Sequence, residues 1–264
     1  MVELAEWSGL VRGRDDSFNA LQAVVLTPLP QRTWSGPFRV TASDQRDYFV
    51  KALETCPPGQ GASLAVEQIV SQVGKLIGAP VCDTSLIRIP TALAGWQPAA
   101  GGPAIQGGLA HASLAIEHAD FRRPPLESRL SDDNARRHVG VYALCDWCFS
   151  TDEQWLYDLD DDQALYSHDH GLYFPPLGQG GWTRADLVVH AETPHEWHDP
   201  RKDLSAAACH DVANALEHVE RESLIRVLRS IPASWPVSDE ELEALGWFLE
   251  RRAPAVASRV RVLA

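Results

Sequence analysis

No apolar run in this sequence approaches the ~20 residues that span a bilayer, and its start, Met1-Val2-Glu3-Leu4-Ala5-Glu6, lacks the basic opening and apolar middle of a signal peptide. Neither a membrane partner nor export is expected, and a cytoplasmic location follows. Cysteine is scarce and odd in number, five at scattered positions, which argues against a disulfide framework and for a reducing compartment. Cys145-Asp146-Trp147-Cys148 has C-x-x-C spacing, but no second pair with ligand spacing accompanies it and it lies in an apolar helical run. Core cysteines are expected there in preference to a zinc or redox site. Positive charge is also short. With 23 Lys and Arg against 36 Asp and Glu, the formal net charge of -13 would repel a phosphate backbone, so nucleic acid is not an expected partner. Internal repeats and low-complexity tracts are absent, which excludes a solenoid.

What is present is a chain of 264 residues, 45% of them hydrophobic, enough for a substantial core in one compact unit with two lobes. Residues 1–98 are strand-rich and residues 99–264 mainly helical, an α+β composition. Strands are expected over 22–26 and 84–90. Phe38-Arg39-Val40-Thr41 and Tyr48-Phe49-Val50-Lys51-Ala52-Leu53 read as a β-hairpin across Ser43-Asp44-Gln45-Arg46-Asp47. That hairpin places one lysine, Lys51, in an otherwise apolar strand, where it needs an anionic partner. Residues 63–77 carry Val66, Ile69, Val70, Val73, Leu76 and Ile77 at helical spacing, with Gly78 and Pro80 as stop signals and Glu67 beside the apolar stripe. The loop-like segments 97–103 and 106–108 are the expected connector between lobes.

Further on, 132–149 reads as a helix with Ser131 or Asp132 as its N-cap. A second hairpin is expected from 155–158 and 165–168 across Asp160-Asp161-Asp162. Residues 205–230 and 238–251 complete the chain as amphipathic helices. Trp182, Trp197, Trp235 and Trp247 are expected in the core ahead of an acceptor groove.

The β-patterned run Ala164-Leu165-Tyr166-Ser167-His168-Asp169-His170-Gly171-Leu172-Tyr173-Phe174 is the strongest chemical signal. A strand would fix the Asp169 carboxylate while Gly171 lets the backbone turn behind it, which suits an exposed metal ligand. A strand lysine, a helix glutamate and a later strand-end aspartate form the set that protein-kinase-like folds use to hold ATP phosphates and magnesium. On this reading Lys51 contacts the phosphates and is steadied by Glu67. Asp169 binds magnesium and Gln154 supplies a second ligand oxygen. Asp152, after the long helix, is the base or orients the acceptor.

These residues together, with Leu76-Ile77-Gly78-Ala79-Pro80-Val81, Asp152-Glu153-Gln154-Trp155 and Ser167-His168-Asp169-His170-Gly171, resemble the HipA-like kinase family over residues 21–182. The resemblance implies a bilobal, protein-kinase-like fold holding ATP and Mg2+ between lobes, and phosphorylation of Ser or Thr in a protein substrate. This chain departs from the family in three places. Glu153 follows Asp152 where the family commonly has arginine, Gln154 is the only nearby amide, and Ser35-Gly36-Pro37, with Gly36 as the candidate nucleotide contact, stands where a glycine-rich loop would be.

Two other readings stay open. A pseudokinase scaffold would keep the fold without catalysis. A metal-dependent hydrolase would use His168, Asp169 and His170 with His190, His195 or His198.

Overall fold

A computed structural model describes residues 2–29, 36–99, 102–121, 128–150, 152–176, 178–195 and 202–263. Ser35, Trp197 and His198 from the readings above lie outside them. Five strands close a barrel in the order β1-β2-β3-β5-β4. They are β1 (Leu21–Thr27), β2 (Phe38–Ala42), β3 (Asp47–Lys51), β4 (Thr84–Ile89) and β5 (Gly108–Leu114). All neighbours pair antiparallel except β1 with β4. The interior is filled by alternate residues such as Phe38, Val40, Tyr48, Val50, Ile87 and Ala110, as period-two burial requires.

Of the segments expected to connect lobes, residues 97–99, 102–103 and 106–107 instead fall between β4 and β5, and Gly108 opens β5. The barrel therefore extends past residue 98, because β5 is needed to pair with both β3 and β4.

Helix α1 (Ser63–Leu76) follows β3 and buries its stripe of Val66, Ile69, Val70 and Val73 in a second, larger core. After the barrel come β6 (Ala119–Asp120), α2 (Asn134–Cys148), β7 (Trp155–Asp158) and β8 (Ala164–Ser167), with β6, β7 and β8 forming a small antiparallel sheet. Helices α3 (Arg184–His190), α4 (Ala206–Glu217), α5 (Arg221–Arg229) and α6 (Asp239–Arg261) complete this part. The N-cap of α2 is Asp133, not Ser131 or Asp132, and it makes no side-chain cap bond. Asn134 instead ties the helix start to the small sheet, accepting from the Leu165 N–H at 2.9 Å and donating to the Gln163 carbonyl at 2.8 Å.

The single helix expected over 205–230 is two. The chain turns extended at Glu220 and starts α5, whose Leu224, Ile225, Val227 and Leu228 are buried. Conversely, α6 runs ten residues beyond Arg251 with Pro254 inside it. An interior proline costs a helix about 3 kcal/mol, but burial of Val256 and Val260 at ~1.5–3 kcal/mol each offsets that. The N-terminal segment packs against α6 although it precedes the barrel in sequence. Trp7 is fully buried there and donates from Nε1 to Glu250 at 2.7 Å. Gly246 makes the room, since a Cβ at that position would lie 2.2 Å from the Trp7 ring.

Trp182, Trp235 and Trp247 are buried, as are all five cysteines, which are unpaired. Burial pushes the thiols of Cys145 and Cys148 far up, away from the thiolate a metal or redox site would use. Among the described residues no helix is long and apolar enough to cross a membrane.

Candidate active site

The barrel, α1 and the exit of β8 converge on one ion cluster. Lys51 ends β3, and its Nζ donates to Oε1 of Glu67 on α1 and, at 2.5 Å, to Oδ1 of Asp169. Two backbone features bring Asp169 there. Ser167 at the end of β8 bridges to Val81 just after α1, with its N–H on the Pro80 carbonyl at 2.7 Å. Asp169 itself has φ +54, a left-handed conformation that aspartate tolerates better than most residues. The strand thus ends at Ser167, and the turn is made by Asp169, not by Gly171 as expected. Gly171 matters for closeness: a Cβ there would sit 3.0 Å from Glu67 Oε1.

Exposure separates the roles within the cluster. The Lys51 and Glu67 side chains are 12% and 4% exposed, while Asp169 keeps 40%. Asp169 is therefore the member that faces ligand space. Burial alone would lower the Lys51 pKa, but the charges of Glu67 and Asp169 outweigh it and hold the ammonium well above its usual range. Burial would raise the Glu67 pKa, and Lys51, His111 and the His170 N–H reverse that, leaving it lowered.

A layer of neutral histidines surrounds the cluster. The His170 N–H donates to Glu67 Oε2 at 2.9 Å, and its ring is held between Ser167 Oγ at 2.9 Å and Ser71 Oγ at 3.3 Å. His111 on β5, opposite Lys51 in the β3–β5 register, donates from Nδ1 to Gln68 Oε1 at 3.0 Å. Burial pushes His170 down to about 3 and His111 to about 4. His168, also lowered by burial, packs edge-on against Phe121. These imidazoles stay uncharged near neutral pH and leave Lys51 as the cation of the cluster.

Lys51, Glu67, Asp169 and the three histidines floor a cleft walled by Leu29, Phe49, Leu114, Ile116, Phe121 and Leu156. Apolar walls over a charged floor suit a flat base with an anionic tail. Gly36, with φ +51, packs on Thr55 beside a small neighbouring cavity, while its neighbour Pro37 lines the cleft.

Asp152 and Gln154 stand outside the ion cluster. Gln154 donates from Nε2 to Asp152 Oδ2 at 2.7 Å, and its carbonyl accepts from the His168 N–H at 3.2 Å. The loop is thereby fastened to the residue preceding Asp169.

Among the described residues, which exclude His198, the histidine set of a hydrolase is not assembled. Among the described residues no three His, Cys, Asp or Glu side chains gather to hold a metal. His170 spends both ring nitrogens on serines, His190 stacks on Phe149, and His195 donates to Glu153.

The histidine layer and its serines carried no sequence signal beyond the Asp-His-Gly run. His111 and Gln68 meet only through tertiary folding, 43 residues apart.

No family model matches the chain, and neither does any curated protein sequence. Among solved structures it is similar to the proinflammatory kinase CtkA of Helicobacter pylori, with 10% identity and a TM-score of 0.54 over 93% of this chain and 99% of that one. The fold is kinase-like. Two structures of the Golgi casein kinase, one with Mn/ADP bound, align with 98% of this chain and 76% and 75% of theirs, at 9% and 10% identity and TM-scores of 0.49 and 0.48.

Proposed function

We propose that the chain is an ATP- and magnesium-dependent phosphotransferase of HipA-like type, bilobal in working form, that transfers the γ-phosphate to a Ser or Thr hydroxyl of a protein. The observation that carries this reading is Lys51 bridging Glu67 and the half-open Asp169 at the floor of an apolar-walled cleft. The apolar walls would hold the base. Lys51 would contact the phosphates while Glu67 keeps the ammonium in place.

The donor set fits magnesium, which takes oxygen ligands. Asp169 offers a second carboxylate oxygen beyond the one on Lys51, and Gln154 offers Oε1 because its Nε2 is engaged by Asp152. Bound magnesium would neutralise charge on the transferred group. Asp152 would orient the acceptor hydroxyl and take its proton.

A second reading, a nucleotide-binding pseudokinase scaffold, is favoured by one contact. Gln154 occupies Oδ2 of Asp152, an oxygen a base would need. Transfer separates the two readings. With ATP, magnesium and a Ser/Thr-rich protein acceptor, the parent should yield phosphoprotein by mass spectrometry, and Asp152→Ala should lose about 100-fold or more in rate while still binding ATP. No phosphoprotein and no ADP from the parent would favour the scaffold.

A further inference from the structure

Glu153 is the residue that departs most plainly from the family resemblance, and the structure supplies it with a partner 42 residues away. His195 donates from Nε2 to Glu153 Oε1 at 2.5 Å, with the two side chains only 7% and 11% exposed. An exposed pair of this kind would contribute little, but a nearly buried one holds its geometry because neither group has water to turn to.

His195 is anchored in turn. Its backbone N–H donates to Asp146 Oδ1 at 3.2 Å. Asp146, fully buried on α2, is gripped from α6 by Arg252 at 3.0 Å and Arg259 at 2.6 Å. Arg252 also donates to the carbonyls of His190 and Thr193, at 2.7 Å each. The backbone from 190 to 195 is thus fixed to α2 and α6 at three residues, and its far end holds the neighbour of Asp152. On the opposite side the same loop is held by the His168 N–H on the Gln154 carbonyl.

We propose that Glu153 and His195 are positioning residues, a clamp that transmits the rigidity of the α2–α6 network to the loop carrying Asp152 and Gln154. The clamp rests on the role assigned to Asp152 above, and it supplies a reason for a carboxylate where the family commonly has arginine. An acceptor for the His195 N–H is needed at 153, and arginine offers none.

The test compares His195→Phe, Glu153→Ala and Glu153→Gln by hydrogen exchange and by transfer kinetics. In the first two, amide exchange across 152–156 should accelerate about tenfold or more while exchange in α1 is unchanged. Where transfer is measured, kcat should fall ~10- to 100-fold with the KM for ATP within about twofold of the parent, the mark of lost positioning. Glu153→Gln keeps an acceptor oxygen and should restore most of both losses. Unchanged exchange across 152–156 in both disrupting variants overturns the clamp, as does a loosened loop with an unaltered kcat. Should His195→Phe fail to fold, Glu153→Ala carries the same comparison. A parent without transfer whose loop loosens as described would leave the clamp standing and remove the kinase reading.

Discussion

Lys51→Met should destabilise the protein by about 3 kcal/mol at neutral pH and abolish nucleotide binding, because it leaves Glu67 as a buried carboxylate with no cation. The loss should depend on pH in a defined sense. In the parent, the Glu67 pKa is held below its ordinary value, so its contribution is present above the unfolded pKa of about 4.3 and lost as pH falls through the folded value. In the variant, burial acts without Lys51 and raises the folded pKa above the unfolded one. The penalty then stands at neutral pH and fades as Glu67 takes up a proton. Urea unfolding of both proteins near pH 7.5 and near pH 4.5 should show a gap that narrows on acidification. A gap equal at the two pH values would mean that the charge of Glu67 is not what Lys51 balances.

Arg252→Met should destabilise more, by about 3–5 kcal/mol, although Arg252 does not line the cleft. Arg252 is 1% exposed and donates to Oδ1 of Asp146 and to the carbonyls of Asp146, Trp147, His190 and Thr193. Methionine fills the volume but leaves these acceptors buried and short of donors. Arg259 still reaches Asp146, with bonds at 2.6 Å and 2.9 Å, so the carboxylate is not wholly stranded. Arg259→Met should therefore cost less, about 1–2 kcal/mol, its side chain being a quarter exposed. Equal losses in the two variants by thermal or urea unfolding would refute the ranking.

Local pattern made the β2–β3 hairpin, α1 and the β7–β8 hairpin readable from sequence, because their apolar periodicity and turn residues are contained within each segment. The same locality brought Lys51, Glu67 and Asp169 forward as candidates, each an ionisable residue at the edge of an apolar element. What stayed hidden depends on partners distant in sequence. Asp146, Arg252 and Arg259 look like solvated helix charges until α2 and α6 pack together and bury the carboxylate. His111 looks like an ordinary strand residue until Gln68 meets it across the core. The extent of the barrel was missed for a related reason. Gly102 and Gly107 before β5, and Gly108 at its start, punctuate the chain as strongly as any interdomain linker would, and only pairing with β3 and β4 shows that the strand belongs to the barrel. Helix α6 outran its expected end because burial of Val256 and Val260 carries it past Pro254.

The binding of ATP measured by calorimetry, with and without magnesium, on the parent and on Asp169→Asn tests the central claim most directly. The ion cluster at the cleft floor leads to magnesium-dependent binding in the parent and its loss in the variant, which keeps the size of the side chain and removes its charge. Equal ATP affinity in the two proteins, or affinity in the parent indifferent to magnesium, would contradict the role given to Asp169 and the phosphotransferase reading with it.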